Sequence, residues 1–539
     1  MFLEVVPVIR SIRGKDTFTY SGSDSNGYRI GDVVWIPWRN KTILGVVWKI
    51  TSSKPSFPTK EVISVTEFSL SPEFIKFIEW FAQYYHVAKS HVLKISLPDF
   101  PKRKAKEKIN QHKKENGEAF SIVRKNKIKS IISKYLDNPK SGTTFLYQRQ
   151  DDVLSSIKEL LIQCSGRTAI IVSEDIFAQY LCLVFDEHNP RIVTSGLGKN
   201  VLYNSWKKVF DKSEKLVLIG TKRLSLFPLT DFEQVIVIDP EDKFHKQWDM
   251  NPRYHVFRVA KKILELSSGN TIFFSQSPTI EQFKDKQVIT EFIDEQEDPD
   301  VILVDVSSRQ YDEFFGLLSE SVKQGCDDSS VPFLWYNQKG SGSFFVCGNC
   351  KNLIKGIDQK KCSNCGSFDL QVRGHGTESL VKALRNAYPN RPIIEITKDN
   401  ELANIDYKQH PIIVGTSYAF KVLDWSKIDY TAVIMIDHLI AMPNFRSEEN
   451  VLHDLIKLRN YTNSLVVQTN VPEHRLFRAL KEIFPIKWYS EIDVERQQLK
   501  LPPYGERILL RNKSTKETKV VYSDKDLPIN SDWIIDREL

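Results

Sequence analysis

Apolar positions change their rhythm along the chain. Between residues 1 and 98, short runs such as GDVVWIPW and TILGVVWKI are rich in Val, Ile and Trp and bounded by turn residues. That pattern predicts a small, largely β unit. A helix is predicted over SPEFIKFIEWFAQYYHVAKSHVL. Ser71, Pro72 and Glu73 form its start signal, and Phe74, Phe77, Ile78, Phe81 and Tyr84 share one face. From about residue 143 the chain alternates between two kinds of segment. TAIIVS, LVLIG, QVIVID, TIFFS, PIIVG, AVIMID and SLVVQT are continuous apolar runs, as strands buried on both faces of a parallel sheet require. Stretches such as NSWKKVF and ESLVKALRNAY lie between some of them and read as helices. The alternation predicts two parallel-sheet α/β lobes.

Length and charge refine this picture. A chain of 539 residues is too long for one core and suggests three or four domains. With 41% hydrophobic and 27% charged residues it has the composition of a soluble globular protein. No run of apolar residues is long enough for a membrane span, and MFLEVVPVIRSIRGKD lacks the pattern of a secretory signal, so a cytoplasmic protein is expected. The net charge of +7 is concentrated: residues 101–142 hold 13 Lys and Arg against 4 Asp and Glu, a net of +9, which leaves −2 for the rest. Such a segment favours polyanions through counterion release, or it is a solvated linker.

Seven cysteines, an odd number, argue against a disulfide framework. Cys164, Cys182 and Cys326 are scattered and read as small buried apolar residues. The other four form two C-x2-C pairs, Cys347 with Cys350 and Cys362 with Cys365, flanked by Gly348, Asn349, Asn364 and Gly366. Four thiolates suffice for closed tetrahedral coordination, which leaves no position for an activated water. One structural Zn2+ is expected on these four residues.

Several stretches, taken in order, resemble the family of primosomal protein N′, the bacterial replication-restart helicase of superfamily 2. They are TFTY (17–20), DVVWIPW, ILGVV, FAQYYHVAKSHVLKISLP, VLIGTKRLSLFPL (217–229), VIVIDPED (235–242), PRYHVFRVA (252–260) and SQSPTIE (275–281). The series continues through CGNC, CSNCGS with GTE (376–378), VGTSYAFK (414–421), PNFRSEE (443–449), VVQTNVPEH (466–474) and LPPYGE (501–506). The resemblance implies two RecA-like helicase lobes, a zinc ribbon inserted in the second, and a mainly-β domain in front that clasps the 3′ end of a strand at a fork. It places Phe18 and Tyr20 at that pocket with Lys60 beside it for phosphate. Thr19 stands where the family has an acid, and Arg39 stands where it has a glycine. Read from the residues alone, Phe18 and Tyr20 are ordinary strand packing. The family's cysteine region carries eight cysteines and two ions; this chain has the outer pairs only, so the implied count is one ion.

The resemblance implies an ATP-dependent 3′-5′ DNA helicase, and the departures bear on that. Such an enzyme needs a Gly-rich turn whose amides cradle phosphates and a Lys to neutralise them. The corresponding stretch, FLYQRQDDVLSSI (145–157), has neither before Lys158 and carries Asp151 and Asp152 instead. The family's Asp-Glu-Glu-His reads Asp239-Pro240-Glu241-Asp242. Asp239 could still hold magnesium, Pro240 takes the place of the water-polarising acid, and Glu241 lies one residue along. Motif VI, IKLRNYTN (456–463), has the single Arg459, and motif V keeps Gly415, Thr416 and Lys421 but has Val422 for glycine. Each such part is worth orders of magnitude in rate. No catalytic residue is therefore assigned, Asp239 and Glu241 are read as the remnant of a nucleotide site, and ATP with Mg2+ is not counted as an expected cofactor.

The expected organisation is a 3′-end-binding-like domain at 1–98, a basic linker with at most a winged-helix remnant at 99–142, and a degenerate lobe 1 at 143–300. Lobe 2 follows at 301–345 and 370–500, the zinc ribbon at 346–369, and a shortened C-terminal region at 501–539. The expected function is an ATPase-deficient restart protein that binds forked or single-strand/duplex-junction DNA through Phe18, Tyr20, Arg39, Lys60 and the linker lysines. Expected protein partners are replisome components such as a single-strand-binding protein or a helicase loader. Two other readings stand beside it: a divergent but active helicase, and a protein-interaction scaffold with no DNA role.

Overall fold

The computed structural model describes residues 1–10, 16–23, 27–101, 126–212, 215–284, 288–292, 300–307, 318–337, 344–347, 349–350, 353–355, 361–362, 364–367, 370–373, 377–398, 405–442, 444–528 and 532–537. Most of the basic connector, residues 102–125, and the Gly374–Gly376 part of the ribbon's exit lie outside them. The chain divides into two compact units, Met1–Glu295 with Asp493–Leu539, and Gln296–Ile492. Among the described residues no helix is long and apolar enough to cross a membrane.

The first unit opens with six strands: β1 (Phe2–Pro7), β2 (Phe18–Ser21), β3 (Asp32–Trp38), β4 (Lys41–Thr51), β5 (Lys60–Glu61) and β6 (Ser64–Ser69). Their order is β5-β2-β1-β4-β3-β6. Residues 60–69 pair with β2 at one end and with β3 over the rest, so the sheet closes on itself as a small barrel. Alternate residues point inward, and Leu3, Val5, Tyr20, Val34, Ile36 and Val47 fill one side of the interior.

Two helices follow, α1 (Pro72–Tyr84) and α2 (Lys89–Ser96). Ser71 caps α1 through a bond from the Phe74 amide, with Pro72 at the first position. The single helix expected over this stretch is broken. His86 adopts φ 50°, a left-handed conformation that cannot continue a helix, and Ala88 is extended ahead of α2. The apolar face of α1 is built into the neighbouring lobe: Phe81 lies 5.6 Å from Tyr254 between ring centroids, and Phe74, Phe77 and Phe81 share one core with Trp206, Val256, Val259 and Ile263.

Lobe 1 begins with α3 (Asn126–Asp137) and runs β7 (Thr143–Leu146), α4 (Gln150–Gln163), β8 (Arg167–Ile171), α5 (Asp175–Val184), β9 (Arg191–Val193) and α6 (Lys199–Lys208). It continues with β10 (Leu216–Gly220), β11 (Gln234–Ile238), α7 (Val256–Leu266), β12 (Asn270–Ser275), α8 (Ile280–Lys284) and β13 (Val288–Phe292). The sheet, ordered β13-β7-β12-β11-β8-β10-β9, is parallel throughout. Its central strands are fully buried, as their unbroken apolar runs predicted.

The second unit holds β14 (Val301–Asp305), α9 (Glu320–Asp328) and β15 (Pro332–Trp335), then a three-stranded antiparallel ribbon, β16 (Phe344–Cys347), β17 (Leu353–Lys355) and β18 (Leu370–Arg373). The lobe resumes with α10 (Thr377–Ala387), β19 (Ile393–Ile396), β20 (Ile412–Gly415), β21 (Tyr430–Val433), α11 (Asp437–Ile440), α12 (Ser447–Tyr461), β22 (Leu465–Thr469) and α13 (Arg475–Leu480). Its sheet, β14-β22-β21-β15-β20-β19, is also parallel. The architecture is therefore two RecA-like parallel-sheet lobes, with a ribbon inserted in the second and a small β barrel ahead of both.

After α14 (Ile486–Gln498) a last antiparallel sheet forms from β23 (Ile508–Asn512), β24 (Thr518–Val521) and β25 (Trp533–Asp536). It is fastened to lobe 1 by a buried ion pair. Lys246 Nζ lies 2.8 Å from Asp536 Oδ1, each side chain only 2% exposed, and Arg253 approaches the other carboxylate oxygen at 3.4 Å. Removing one partner strands the other charge in the interior. Asp536→Ala should cost about 3–5 kcal/mol of local stability, whereas the apolar pair Lys246→Met with Asp536→Leu should be near neutral. Hydrogen exchange of β25 and of the 246–255 segment measures both.

Candidate functional site

The barrel brings together most of the residues expected at a strand end. Phe18 and Tyr20 stand two apart on β2, so their side chains emerge on one face. Tyr20 is register partner of Lys60 in the β2–β5 pair. The Phe18 ring packs edge-on against Trp38 at 4.7 Å between centroids. Trp38 was not singled out from the sequence; its place beside a hairpin turn was the available signal. Tyr20 is used differently from Phe18. It is 5% exposed, its ring lies in the barrel core, its hydroxyl donates to the Pro37 carbonyl at 3.2 Å, and burial raises its pKa. Phe18 and Trp38 are half-buried, and Lys60 and Arg39 are exposed.

Arg39 and Asn40 form the two-residue turn between the paired Trp38 and Lys41. Arg39 has φ 52°. This is the first turn position, where glycine is favoured because a Cβ meets the backbone in the left-handed region. Arg39 thus holds, with a side chain, a conformation that glycine adopts most readily.

In the ribbon, the Sγ atoms of Cys350, Cys362 and Cys365 lie within 4.8 Å of one another. Cys350 Sγ and Cys362 Sγ are 3.5 Å apart. The Asn364 amide donates to Cys362 Sγ at 3.4 Å, and Asn364 Nδ2 donates to Cys350 Sγ at 3.6 Å. Gly366, at φ 71°, turns the knuckle so that its amide reaches the Cys362 carbonyl at 2.9 Å. N–H groups aimed at sulfur favour thiolate over thiol, which suits a soft divalent ion. Cys347 closes β16, three residues before Cys350, and its side chain lies outside the described residues.

The carboxyl ends of β7, β12 and β11, neighbours in the lobe 1 sheet, meet where parallel α/β folds place ligands. Only Tyr147, Gln148 and Arg149 connect β7 to α4, and Arg149 occupies the N-cap without a side-chain cap bond. The Tyr147 hydroxyl donates to Asp239 Oδ1 at 2.6 Å and accepts from Gln276 Nε2 at 3.1 Å. Asp239 sits at φ 48°. Glu241 accepts from the Ser275 hydroxyl at 2.9 Å and from the Gln276 and Ser277 amides at 3.2 Å each. Burial, and then the Asp239 carboxylate beside it, push the Glu241 carboxyl well above its ordinary range, against the pull of those donors. The sequence pattern signals Asp239 and Glu241 but not Tyr147, which stands with Phe145 in a stretch marked chiefly by its lack of glycine and lysine.

Arg459 is 6% exposed on α12. Its Nη1 donates to the carbonyls of Leu480 and Glu482, both at 2.8 Å, and desolvation lowers its pKa to about 10.

A family model described as the PriA 3′ DNA-binding domain matches residues 6–98, the span of the barrel, α1 and α2. The replication restart protein PriA of Borreliella burgdorferi is 21% identical over 530 residues, covering 86% of this chain and 79% of that one. That of Helicobacter pylori strain J99 is 24% identical over 544 residues, covering 91% and 84%. Over most of its length the chain is similar to PriA-type proteins. The PriA of Synechocystis sp. aligns at 24% identity over 392 residues, 60% of this chain but 46% of that protein, so in that pairing under half of the relative is spanned. The PriA match places Arg39 in the 3′ DNA-binding domain.

Arg39→Gly should relieve the left-handed strain and raise the local stability of the β3–β4 hairpin by about 1 kcal/mol. Slower hydrogen exchange of the hairpin amides measures the gain.

Proposed function

We propose that this protein binds forked or branched DNA in replication restart, through the surface around Phe18, Trp38, Arg39 and Lys60, and does so without hydrolysing ATP. The observation that carries the reading is that surface: a partly exposed aromatic pair, with exposed Arg39 next along the chain from Trp38 and exposed Lys60 in register with Tyr20, in the segment that matches the PriA 3′ DNA-binding domain. Bases stack on aromatic faces, and cations beside them take the phosphate. Tyr20 supports the surface from behind. The linker lysines from Lys102 to Lys140 add salt-sensitive, sequence-independent affinity.

The absence of ATP chemistry is supported by the short turn after β7, by Pro240, and by Arg459 being committed to backbone carbonyls. A phosphate cradle needs successive free amides and a cation, and an arginine that stabilises a transferring phosphoryl group must be able to reach it. Zn2+ fits the ribbon: Cys350, Cys362 and Cys365 would hold it together with Cys347, and it would cross-link the knuckles as a structural ion. The ribbon is then a rigid contact element for replisome proteins such as a single-strand-binding protein or a helicase loader. The setting of all this is the cytoplasm.

The deciding experiment is a forked-DNA titration at several salt concentrations, run alongside an ATPase assay with and without the fork. Fork binding that weakens steeply with salt is expected, with hydrolysis at background. DNA-stimulated hydrolysis abolished by Asp239→Ala favours a divergent active helicase instead, and no fork binding favours a scaffold. Phe18→Ala should lower fork affinity by about 1–3 kcal/mol. Lys60→Ala should reduce the salt slope by about 0.7–0.9.

Zinc has its own measurement. Purified protein should contain one zinc per chain by elemental analysis, and Cys362→Ser should lose it. Metal-free wild type of normal stability would remove the ion from the proposal.

A further inference from the structure

A magnesium ion with a nucleotide does not fit the carboxyl ends of β7, β12 and β11. Asp239 Oδ1, one of the two carboxylate oxygens a metal or its water would use, already accepts the Tyr147 hydroxyl at 2.6 Å. Tyr147 is itself 4% exposed, with its ring in the lobe 1 core. Gln276, 7% exposed, donates to the same hydroxyl, and Glu241 is turned toward the exit of β12 by Ser275, Gln276 and Ser277. Backbone bonds bring the strands to this point in register, the Asp239 amide to the Phe274 carbonyl at 2.7 Å and the Tyr147 amide to the Ser275 carbonyl at 3.2 Å.

We infer that Tyr147 stands in for magnesium–nucleotide as the group that ties these three strand ends together. The inference rests on the reading of the protein as one that does not hydrolyse ATP, and it adds what occupies the vacated position. In a nucleotide-using lobe the ends of such strands are bridged through a ligand that comes and goes. Here the bridge belongs to the chain itself, at the residue that follows β7. The hydroxyl donates to β11 through Asp239 and accepts from β12 through Gln276, so one oxygen joins three strands. The left-handed backbone of Asp239 is the local conformation that goes with this arrangement, and Asp tolerates it better than most residues. A brace of this kind leaves lobe 1 in one state whether or not nucleotide is present.

The test is a double-mutant cycle on the full-length, zinc-loaded protein, read by hydrogen exchange at Tyr147, Asp239 and Gln276 and by thermal unfolding with and without Mg-ADP. Tyr147→Phe keeps the ring in the core and removes the hydroxyl. It should lower exchange protection at these amides roughly 10- to 100-fold, as loss of a hydrogen bond to a charged group does. Asp239→Ala should do the same, with an added backbone strain that cancels in the cycle, and the double variant should lose little more than Asp239→Ala alone. Asp239→Asn, which keeps an acceptor, should stay close to wild type. Mg-ADP should not shift the wild-type midpoint.

Two results overturn the inference: additive losses in the cycle, or a Mg-ADP shift in wild type that Asp239→Asn abolishes. A protein that hydrolyses no ATP but shows additive losses sinks the brace and leaves the DNA-binding reading standing. DNA-stimulated hydrolysis sinks the reading on which the brace rests.

Discussion

The first unit depends on one aromatic core. Phe74, Phe77 and Phe81 leave α1 on one face and pack with Trp206, Tyr254, Val256, Val259 and Ile263 of lobe 1. Phe68, from the last barrel strand, reaches Trp206 at 5.1 Å between centroids. Burial of such rings is the largest favourable term available, at about 25 cal/mol per Å2 of apolar surface, and edge-on ring pairs add about 0.5–1.5 kcal/mol each. The barrel therefore has no independent seat; it is fixed to the lobe through α1. The aromatic pair at Phe18 and Trp38 stands on that fixed base, so lobe 1 helps to hold the pair still.

Several buried polar groups are tied to another part of the chain. Lys246 and Asp536 are both sealed from water, an arrangement tolerable only as a pair. Tyr147 has its ring in the core and its hydroxyl between Asp239 and Gln276. Arg459 closes the carbonyls of Leu480 and Glu482 at the far end of α13. A buried polar atom without a partner costs about 1–3 kcal/mol, so these bonds stabilise mainly by avoiding that penalty. The same accounting explains why such side chains are unavailable for chemistry that needs them free.

Much of the fold was legible in the apolar runs. Strands buried on both faces need continuous apolar residues, and IIV, LVLI, VIVI and IFF announced β8, β10, β11 and β12 without help from tertiary context. β7 was harder to see because Thr143 and Thr144 are buried there with their hydroxyls satisfied locally or hidden, a burial that composition does not signal. The helix drawn through residues 71–93 failed for another reason. Its apolar face continues past Tyr84, but the break at His86 is a backbone conformation with no glycine or proline to mark it. The cysteine knuckles were readable because ligand chemistry imposes a spacing. Tyr20 was not, since an aromatic on a strand reads alike whether its ring faces a ligand or the core. Only the closure of the barrel, bringing Pro37 within reach of its hydroxyl, separates the two.

On the proposed reading, the carboxyl ends of lobe 1 show how a fold can outlast one of its uses. The sheet's free energy comes from the apolar faces of its strands, and none of those residues needs a phosphate loop. Replacing that loop by a three-residue turn shortens the connection and lowers the entropy cost of ordering it. What the replacement must supply is partners for Asp239 and Glu241, two carboxyl groups left just past the end of β11. One is met by the Tyr147 hydroxyl and the other by the Ser275 hydroxyl and the Gln276 and Ser277 amides just past β12. On the proposed reading, the site once arranged around a ligand has become a set of internal hydrogen bonds, and the parallel sheet beneath it needed no change to allow it.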